Sequence, residues 1–134
     1  MPSRTCALSL AALLSIFFLS GCGNNTLNPL CGSARPAPLI GSLSPSTMNF
    51  SDVQVGDTLI VNGSHFVSAS QVVINTTPLS AVVVSDKQLK VKLSSDVISG
   101  PGAVKVSVLT PSGNSGDLGC TSGGTSSVLV LSVN

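Results

Sequence analysis

From Leu39 to Val133 the chain alternates short runs of Val, Ile and Leu with clusters of Gly, Ser, Asn, Pro and Asp. In Gln88–Leu93 (QLKVKL) the apolar residues fall on one side of an extended chain and both lysines on the other, which is typical of a half-buried strand. No window shows a sustained 3.6-residue period, so the pattern indicates an all-β domain, and about seven short strands favour a sandwich of two sheets. The predicted strands are Leu39–Leu43, Thr58–Asn62, Gln71–Asn75, Ala81–Ser85, Gln88–Leu93, Ala103–Thr110 and Ser127–Val133.

The composition narrows the class of protein further. The chain has 134 residues, of which 8% are charged and 43% hydrophobic, so one domain is expected, and a charged disordered chain, a coiled coil and a basic nucleic-acid binder are disfavoured. It contains one His and no Glu, and is therefore short of general acids and bases. Valine dominates the candidate core, to which Phe50 and Phe66 add the aromatic side chains.

Residues 1–21 have the features of a secretory signal peptide. Arg4 is followed by an uncharged stretch from Cys6 to Ser20, which is shorter than the roughly 20 apolar residues of a membrane-spanning helix. The stretch leads into Leu19-Ser20-Gly21-Cys22, which resembles the lipobox of bacterial lipoproteins at all four positions. The resemblance implies cleavage before Cys22, a diacylglycerol on its thiol and acylation of the new amino terminus, for example with palmitate. An ordinary secreted protein and an uncleaved anchor are the alternatives.

The lipoprotein resemblance also implies a location. Two or three acyl chains hold a soluble domain stably on a membrane. Gly23 stands where inner-membrane lipoproteins of Gram-negative cells typically carry Asp, which favours the outer membrane, on its periplasmic or extracellular face. Residues 22–38 (CGNNTLNPLCGSARPAP) lack periodicity and are predicted to be a flexible tether. The chain after the signal is formally neutral, so no nucleic-acid partner is expected.

The segment from Pro38 to Val133 resembles the immunoglobulin-like IPT/TIG family. Ile40–Ser46 (IGSLSPS) is similar to the family's first strand, I-x-S-I-S-P-S, in which the proline introduces a kink. The more specific match is Gly56–Phe66 (GDTLIVNGSHF), which is similar to G-x-T-V-T-I-T-G-x-N-F. In this motif Gly63 is expected to take a positive φ after the strand, and Phe66 to turn back into the core. An Ig-like sandwich over residues 39–134 is the expected fold.

The sequence departs from the family at Asp117–Thr125 (DLGCTSGGT), where extra residues include Cys120. If seven strands alternate in direction, Cys31 and Cys120 precede the first and last strands at the same end of the sandwich. With Cys22 lipidated in an oxidising compartment, a Cys31–Cys120 disulfide is expected, worth up to about 4.6 kcal/mol by loop entropy. Two free thiols and an intermolecular bridge are the alternatives.

Few residues suggest chemistry. His65 is interpreted as a solvent-facing turn residue, because the chain has no nucleophile elbow for a Ser–His–Asp hydrolase. A metal site made by His65 with Cys31 and Cys120 lacks the close ligand pairs of zinc motifs, and no cofactor is expected. The isolated aspartates form no calcium loop. The one basic cluster is a solvated strand face or a patch for acidic glycans or lipid: Lys87, Lys90 and Lys92.

Three functions remain open after the sequence has been considered. A lipid-anchored interaction or structural module of the cell envelope, without catalysis and with an unidentified protein partner, requires no residue that the chain lacks. A carbohydrate-binding lipoprotein accessory to polysaccharide processing is the alternative, but the chain has no Trp or Tyr on which a sugar ring could stack. An enzyme is disfavoured by the scarcity of catalytic groups.

Overall fold

A computed structural model describes residues 35–113 and 122–134 and confirms the all-β, Ig-like sandwich. In the described residues, the strands form two layered sheets, and one short helix follows the second strand. The strands are β1 (Leu39–Ser44), β2 (Thr47–Met48), β3 (Thr58–Ser64), β4 (Gln71–Ile74), β5 (Thr77–Ser80), β6 (Val82–Ser85), β7 (Gln88–Lys92), β8 (Gly102–Thr110), β9 (Gly124–Thr125) and β10 (Leu129–Val133), and the helix is α1 (Phe50–Val55).

The strands form two sheets with different edges. The first sheet has the order β1-β3-β7-β6, and all its pairings are antiparallel. The second has the order β2-β10-β8-β4-β5, with β9 also paired to β8. Its β2–β10 pairing is parallel, because the chain changes sheets after β1 and brings Thr47 and Met48 alongside the end of β10. The proline-induced kink expected from the sequence lies at this change, where the Ser44–Pro45 peptide bond is cis.

Inward-facing branched side chains from both sheets make the core, as the strand alternation predicts. Leu89 and Val91 are buried in β7, whereas Lys90 and Lys92 beside them are exposed. Across the sandwich, the second sheet contributes its own row of buried residues, so the two apolar faces close on each other. The buried hydrophobic residues are Met48, Val53, Leu59, Val61, Phe66, Val72, Ile74, Leu89, Val91, Leu93, Ile98, Val104, Val106, Val108, Leu131 and Val133.

The prediction for Phe66 is confirmed, but the predicted backbone of Gly63 is wrong. Phe66 is 3% exposed and packs in the core. Gly63 is not among the residues with positive φ, which is instead found two residues later at His65 (φ 62). Gly63 is needed because a Cβ there would overlap the backbone carbonyl oxygen of Leu39 and lie 2.7 Å from Cζ of Phe66. The glycine therefore permits close packing of β1 and the Phe66 ring against β3.

Several short elements were not predicted from the sequence. Helix α1 has six residues, too few to show a helical period; the backbone N–H of Asn49 donates to Oδ2 of Asp52 (3.1 Å), and Gly56 ends the helix with φ 83. Strand β5 contains Pro78, which argues against a central strand, and β5 indeed lies at an edge. Strands β2 and β9 have two residues each and give no readable alternation.

The two ends of the described chain lie at opposite poles of the sandwich. Thr110 pairs with Gly124 at one end of β8, and the backbone of Arg35 is bonded to Gly123 there. At the other end of β8, Gly102 pairs with Val133, just before the final residue. We call these ends the Arg35 pole and the Asn134 pole.

Candidate binding surface

The residues proposed for covalent chemistry lie outside the described part of the chain. Cys22, the predicted lipidation site, and Cys31 and Cys120, the predicted disulfide, all fall in residues 1–34 or 114–121. The described candidates are His65 and the lysine cluster of Lys87, Lys90 and Lys92.

His65 is exposed in a turn, as the sequence predicts, and its ring also contacts the start of the domain. Its ring lies in the turn after β3, exposed, with Nδ1 3.3 Å from the carbonyl oxygen of Ala37. This distance fits a ring N–H that donates to the carbonyl. His65 has a left-handed backbone (φ 62), and the contact between its ring and Ala37 helps to position residues 35–38.

Arg35 fastens the incoming chain to the segment that precedes β9. Its backbone N–H donates to Oγ of Ser122 (3.0 Å), and its carbonyl accepts the N–H of Gly123 (2.6 Å). Its guanidinium donates to the carbonyl of Pro111 (3.0 Å). Gly123 has φ 73 and no room for a Cβ, which would overlap Thr110 and Pro111. These contacts, which we call the Arg35 clamp, fix where the chain enters the sandwich.

The structure divides the lysine cluster into two parts. Lys90 and Lys92 project side by side from the outward face of the first sheet, whereas Lys87 lies in the turn before β7, towards the Arg35 pole. Lys90 and Lys92 line a shallow depression of about 260 Å³ together with Thr58 and Val82. Neither of these two lysines is paired with a carboxylate in residues 35–113 and 122–134. Their ammonium groups are therefore available to an anionic ligand.

A row of amide and hydroxyl groups crosses the same face and was missed by the sequence analysis. Nε2 of Gln88 donates to Oδ1 of Asn62 (3.1 Å), and Nδ2 of Asn62 reaches Oγ of Ser42 (3.4 Å). The register explains the row, since Asn62 lies opposite Gln88 on one side and Ser42 on the other. Only the strand pairing could have revealed this arrangement, because the three residues are distant in sequence.

Both sheets have exposed valines at or near their strands. On β6, at one edge of the first sheet, Val82 is 68% exposed and Val84 50%. In the second sheet, Val130 of β10 is 57% exposed, and Val128, just before this strand, is 53% exposed. The three consecutive valines at 82–84 are the sequence signal that could have pointed to an apolar edge. Val82 joins this edge to the lysine depression, so the two features form one surface, which we call the β6 surface.

No helix in the described residues is long and apolar enough to cross a membrane.

Comparison with known proteins identifies the family. A family model described as the IPT/TIG domain matches residues 38–128, which is most of the chain, and the protein belongs to this family. The motif resemblance noted in the sequence is thereby confirmed. No curated protein sequence matches the chain.

Two solved structures illustrate the range of proteins to which the chain is similar. An auxiliary nutrient binding protein from Bacteroides ovatus ATCC 8483 aligns with 18% identity and a TM-score of 0.45, over 77% of this chain and 22% of that protein. The chain thus spans about a fifth of that protein's length. The TIG domain of human nuclear factor of activated T-cells, cytoplasmic 4, aligns with 22% identity and a TM-score of 0.43, over 74% of this chain and 88% of that domain.

Proposed function

We propose that this protein is a lipid-anchored module of a bacterial cell envelope, on the outer membrane, that presents its IPT/TIG domain to a protein partner and performs no catalysis. The observation that carries the proposal is the Arg35 clamp. It holds the start of the domain at one pole, 13 residues after Cys22. A tether of that length reaches at most about 45 Å, so a lipid at Cys22 would keep the domain near the membrane with its sheet faces free.

The polar contacts of the described residues support a binding role over a catalytic one. Asp57 accepts the backbone N–H of Thr58 (2.7 Å), and Asp52 accepts that of Asn49 (3.1 Å), so both carboxylates hold turns. The ring of His65 contacts a backbone carbonyl, and its described polar contacts include neither a carboxylate nor a hydroxyl group. Among the described residues, no acid contacts His65 to orient it as a general base.

The Arg35 clamp also supports the proposed disulfide. Cys31 precedes Arg35 by four residues, and Cys120 precedes Ser122 by two, while Arg35 and Ser122 are hydrogen-bonded. Chain segments of these lengths reach at most about 14 and 7 Å. A disulfide, which needs Cα atoms about 4.4–6.8 Å apart, is therefore compatible with the contact between Arg35 and Ser122. It would join the tether covalently to the last part of the domain.

Carbohydrate binding is the second candidate. The observation that favours it is the row of Ser42, Asn62 and Gln88, whose groups could bond sugar hydroxyls along the outward face of the first sheet. The absence of Trp and Tyr from the chain weighs against it. Binding to a glycan array that is lost in Asn62→Ala and Gln88→Ala would favour this candidate over a protein partner.

Membrane fractionation with intact mass measurement tests the anchor. We expect the protein in the membrane fraction, at a mass that corresponds to a chain beginning at Cys22 plus lipid. Cys22→Ser should remove both the lipid and the membrane association. A wild-type protein that is soluble and unmodified would contradict the proposal.

Crosslinking in cells tests the partner. The tagged protein should yield a defined protein adduct from the membrane fraction, recovered in near-equal amount. Recovery of polysaccharide without protein would contradict the proposal and favour the second candidate.

A further inference from the structure

Strand β6 is the edge of the first sheet that lies beside the lysine depression. The other edge of the first sheet, β1, is interrupted by an irregularity between Ile40 and Ser42. In the second sheet, β5 carries Pro78 and β2 has two residues. Proline, irregular pairing and short length all hinder the addition of a further strand. In β6 the irregularity comes late, between Val83 and Ser85, so the first half of the strand is regular.

The ladder geometry directs the backbone of Val83 to the open side. The N–H of Gly63 donates to the carbonyl of Lys87 (2.9 Å), and the N–H of Leu93 donates to that of Asp57 (3.0 Å). Bonding alternates along an antiparallel strand, so the odd-numbered residues of β7 bond to β3 and the even-numbered ones to β6. Val82 lies opposite the even-numbered Lys90 and bonds inward to β7. The N–H and C=O of Val83, one residue on, therefore point away from the sheet.

The outward-facing strand positions beside this edge carry charge of one sign. On the outward face of the first sheet, Lys90 and Lys92 are the charged side chains, and the strand positions of that face carry no carboxylate. Val82 lies between these lysines and the open edge and lines the same depression. An added strand would lie two strand spacings, about 10 Å, from β7. Long acidic side chains on its outward face would reach the ammonium groups across Val82. Aliphatic side chains, which alternate to the inner face, would extend the apolar face beside Val83, which packs against the core.

We propose that an extended segment of a partner protein, in which acidic and aliphatic residues alternate, adds to β6 as a fifth strand of the first sheet. Backbone bonds to Val83 supply part of the affinity, and the charge of Lys90 and Lys92 selects the segment. The inference rests on the proposed function in one respect, that the partner is a protein.

Peptide binding to the purified full chain, in the form that the cell produces, tests the inference. The probe is a fluorescent heptapeptide of alternating Glu and Val, and its controls are the Lys-Val counterpart and an acidic peptide interrupted by Pro. Of the three peptides, we expect only the Glu-Val peptide to bind saturably, and we expect added salt to weaken this binding. Lys90→Ala and Lys92→Ala should each weaken it about threefold, whereas Lys105→Ala, on the other sheet, should not.

Two further variants test separately the backbone bond at the strand edge and the electrostatic attraction to the lysines. Val83→Pro removes the outward N–H without removing a bond to β7 and should weaken binding at least tenfold, by about 1.4 kcal/mol or more. Val82→Asp changes an exposed side chain, should leave the fold intact and should weaken binding by repelling the acidic peptide. Val130→Asp, at a similarly exposed valine of the second sheet, should have no effect.

Three results would overturn the inference. One is no saturable binding of the Glu-Val peptide up to about 1 mM. Another is equal loss in Val82→Asp and Val130→Asp. A third is binding of polygalacturonate that needs the lysines but persists in Val83→Pro, which would make the lysine depression a site for acidic polysaccharide. Peptide binding does not depend on the lipid anchor. If the wild-type protein is soluble and carries no lipid at Cys22 but still binds the peptide, only the proposed location is contradicted.

Discussion

Replacing Gly63 with alanine perturbs the closest backbone approach in the first sheet. The new Cβ would overlap the carbonyl oxygen of Leu39 and press on Cζ of Phe66, which is 2.7 Å from the ideal Cβ position. Overpacking a core costs about 1–3 kcal/mol, and we expect about 3 kcal/mol because a backbone carbonyl cannot rotate aside as a side chain can. At about 4–8 °C per kcal/mol for a domain of this size, the melting temperature should fall by roughly 12–24 °C.

Urea unfolding of matched variants measures this cost. Gly100→Ala is the control, because nothing lies within 4 Å of its ideal Cβ and its φ is not positive; its stability should stay within about 1 kcal/mol of wild type. Phe66→Leu removes the distal ring atoms, so a double-mutant cycle of Gly63→Ala with Phe66→Leu should show a favourable coupling of about 1 kcal/mol. Equal stability of Gly63→Ala and Gly100→Ala would refute the close-packing role of Gly63.

Three further substitutions test other contacts. Arg35→Ala should lower the free energy of unfolding by about 1 kcal/mol and speed hydrogen exchange in the segment that Arg35 contacts; unchanged exchange there would contradict the clamp. Ser70→Ala should cost about 1–3 kcal/mol by urea unfolding, since its hydroxyl bonds the buried Thr110 hydroxyl at 2.9 Å, whereas the double variant with Thr110→Val should cost less than the sum of the single changes. If Cys31 and Cys120 pair, thiol counting should find neither free, and Cys31→Ser should lower stability by up to about 4.6 kcal/mol; two free thiols in the wild type would contradict the pairing.

The parts of the fold that could be predicted are those in which burial imposes a period. Strands β3, β7 and β8 lie inside the sheets, and one buried face gives them a visible alternation. Phe66 was identified because a motif placed it, and the structure buries it as expected. Strand β5 was missed because it contains Pro78, and a proline in a sequence argues against a central strand. The structure accommodates Pro78 because β5 lies at the edge of its sheet.

The binding surface was predictable only in part. The alternation in β7 placed Lys90 and Lys92 on one exposed face, which the structure confirms. Their contact with Val82 depends on the pairing of β6 with β7, and the outward direction of the Val83 backbone depends on the register. The role of Gly63 was predicted wrongly because a glycine after a strand suggests a positive φ, whereas here the missing side chain makes room for Leu39 and Phe66.

Site-specific photocrosslinking in cells tests the central claim most directly. A photoreactive residue at position 82 would report on the β6 surface, and one at position 130 on a similarly exposed position of the second sheet. We predict one protein adduct at position 82, recovered from the membrane fraction and identified by mass spectrometry, that is absent at position 130 and leaves the membrane fraction in Cys22→Ser. No protein adduct at position 82, or the same adducts at both positions, would contradict a membrane-held domain that binds its partner through β6.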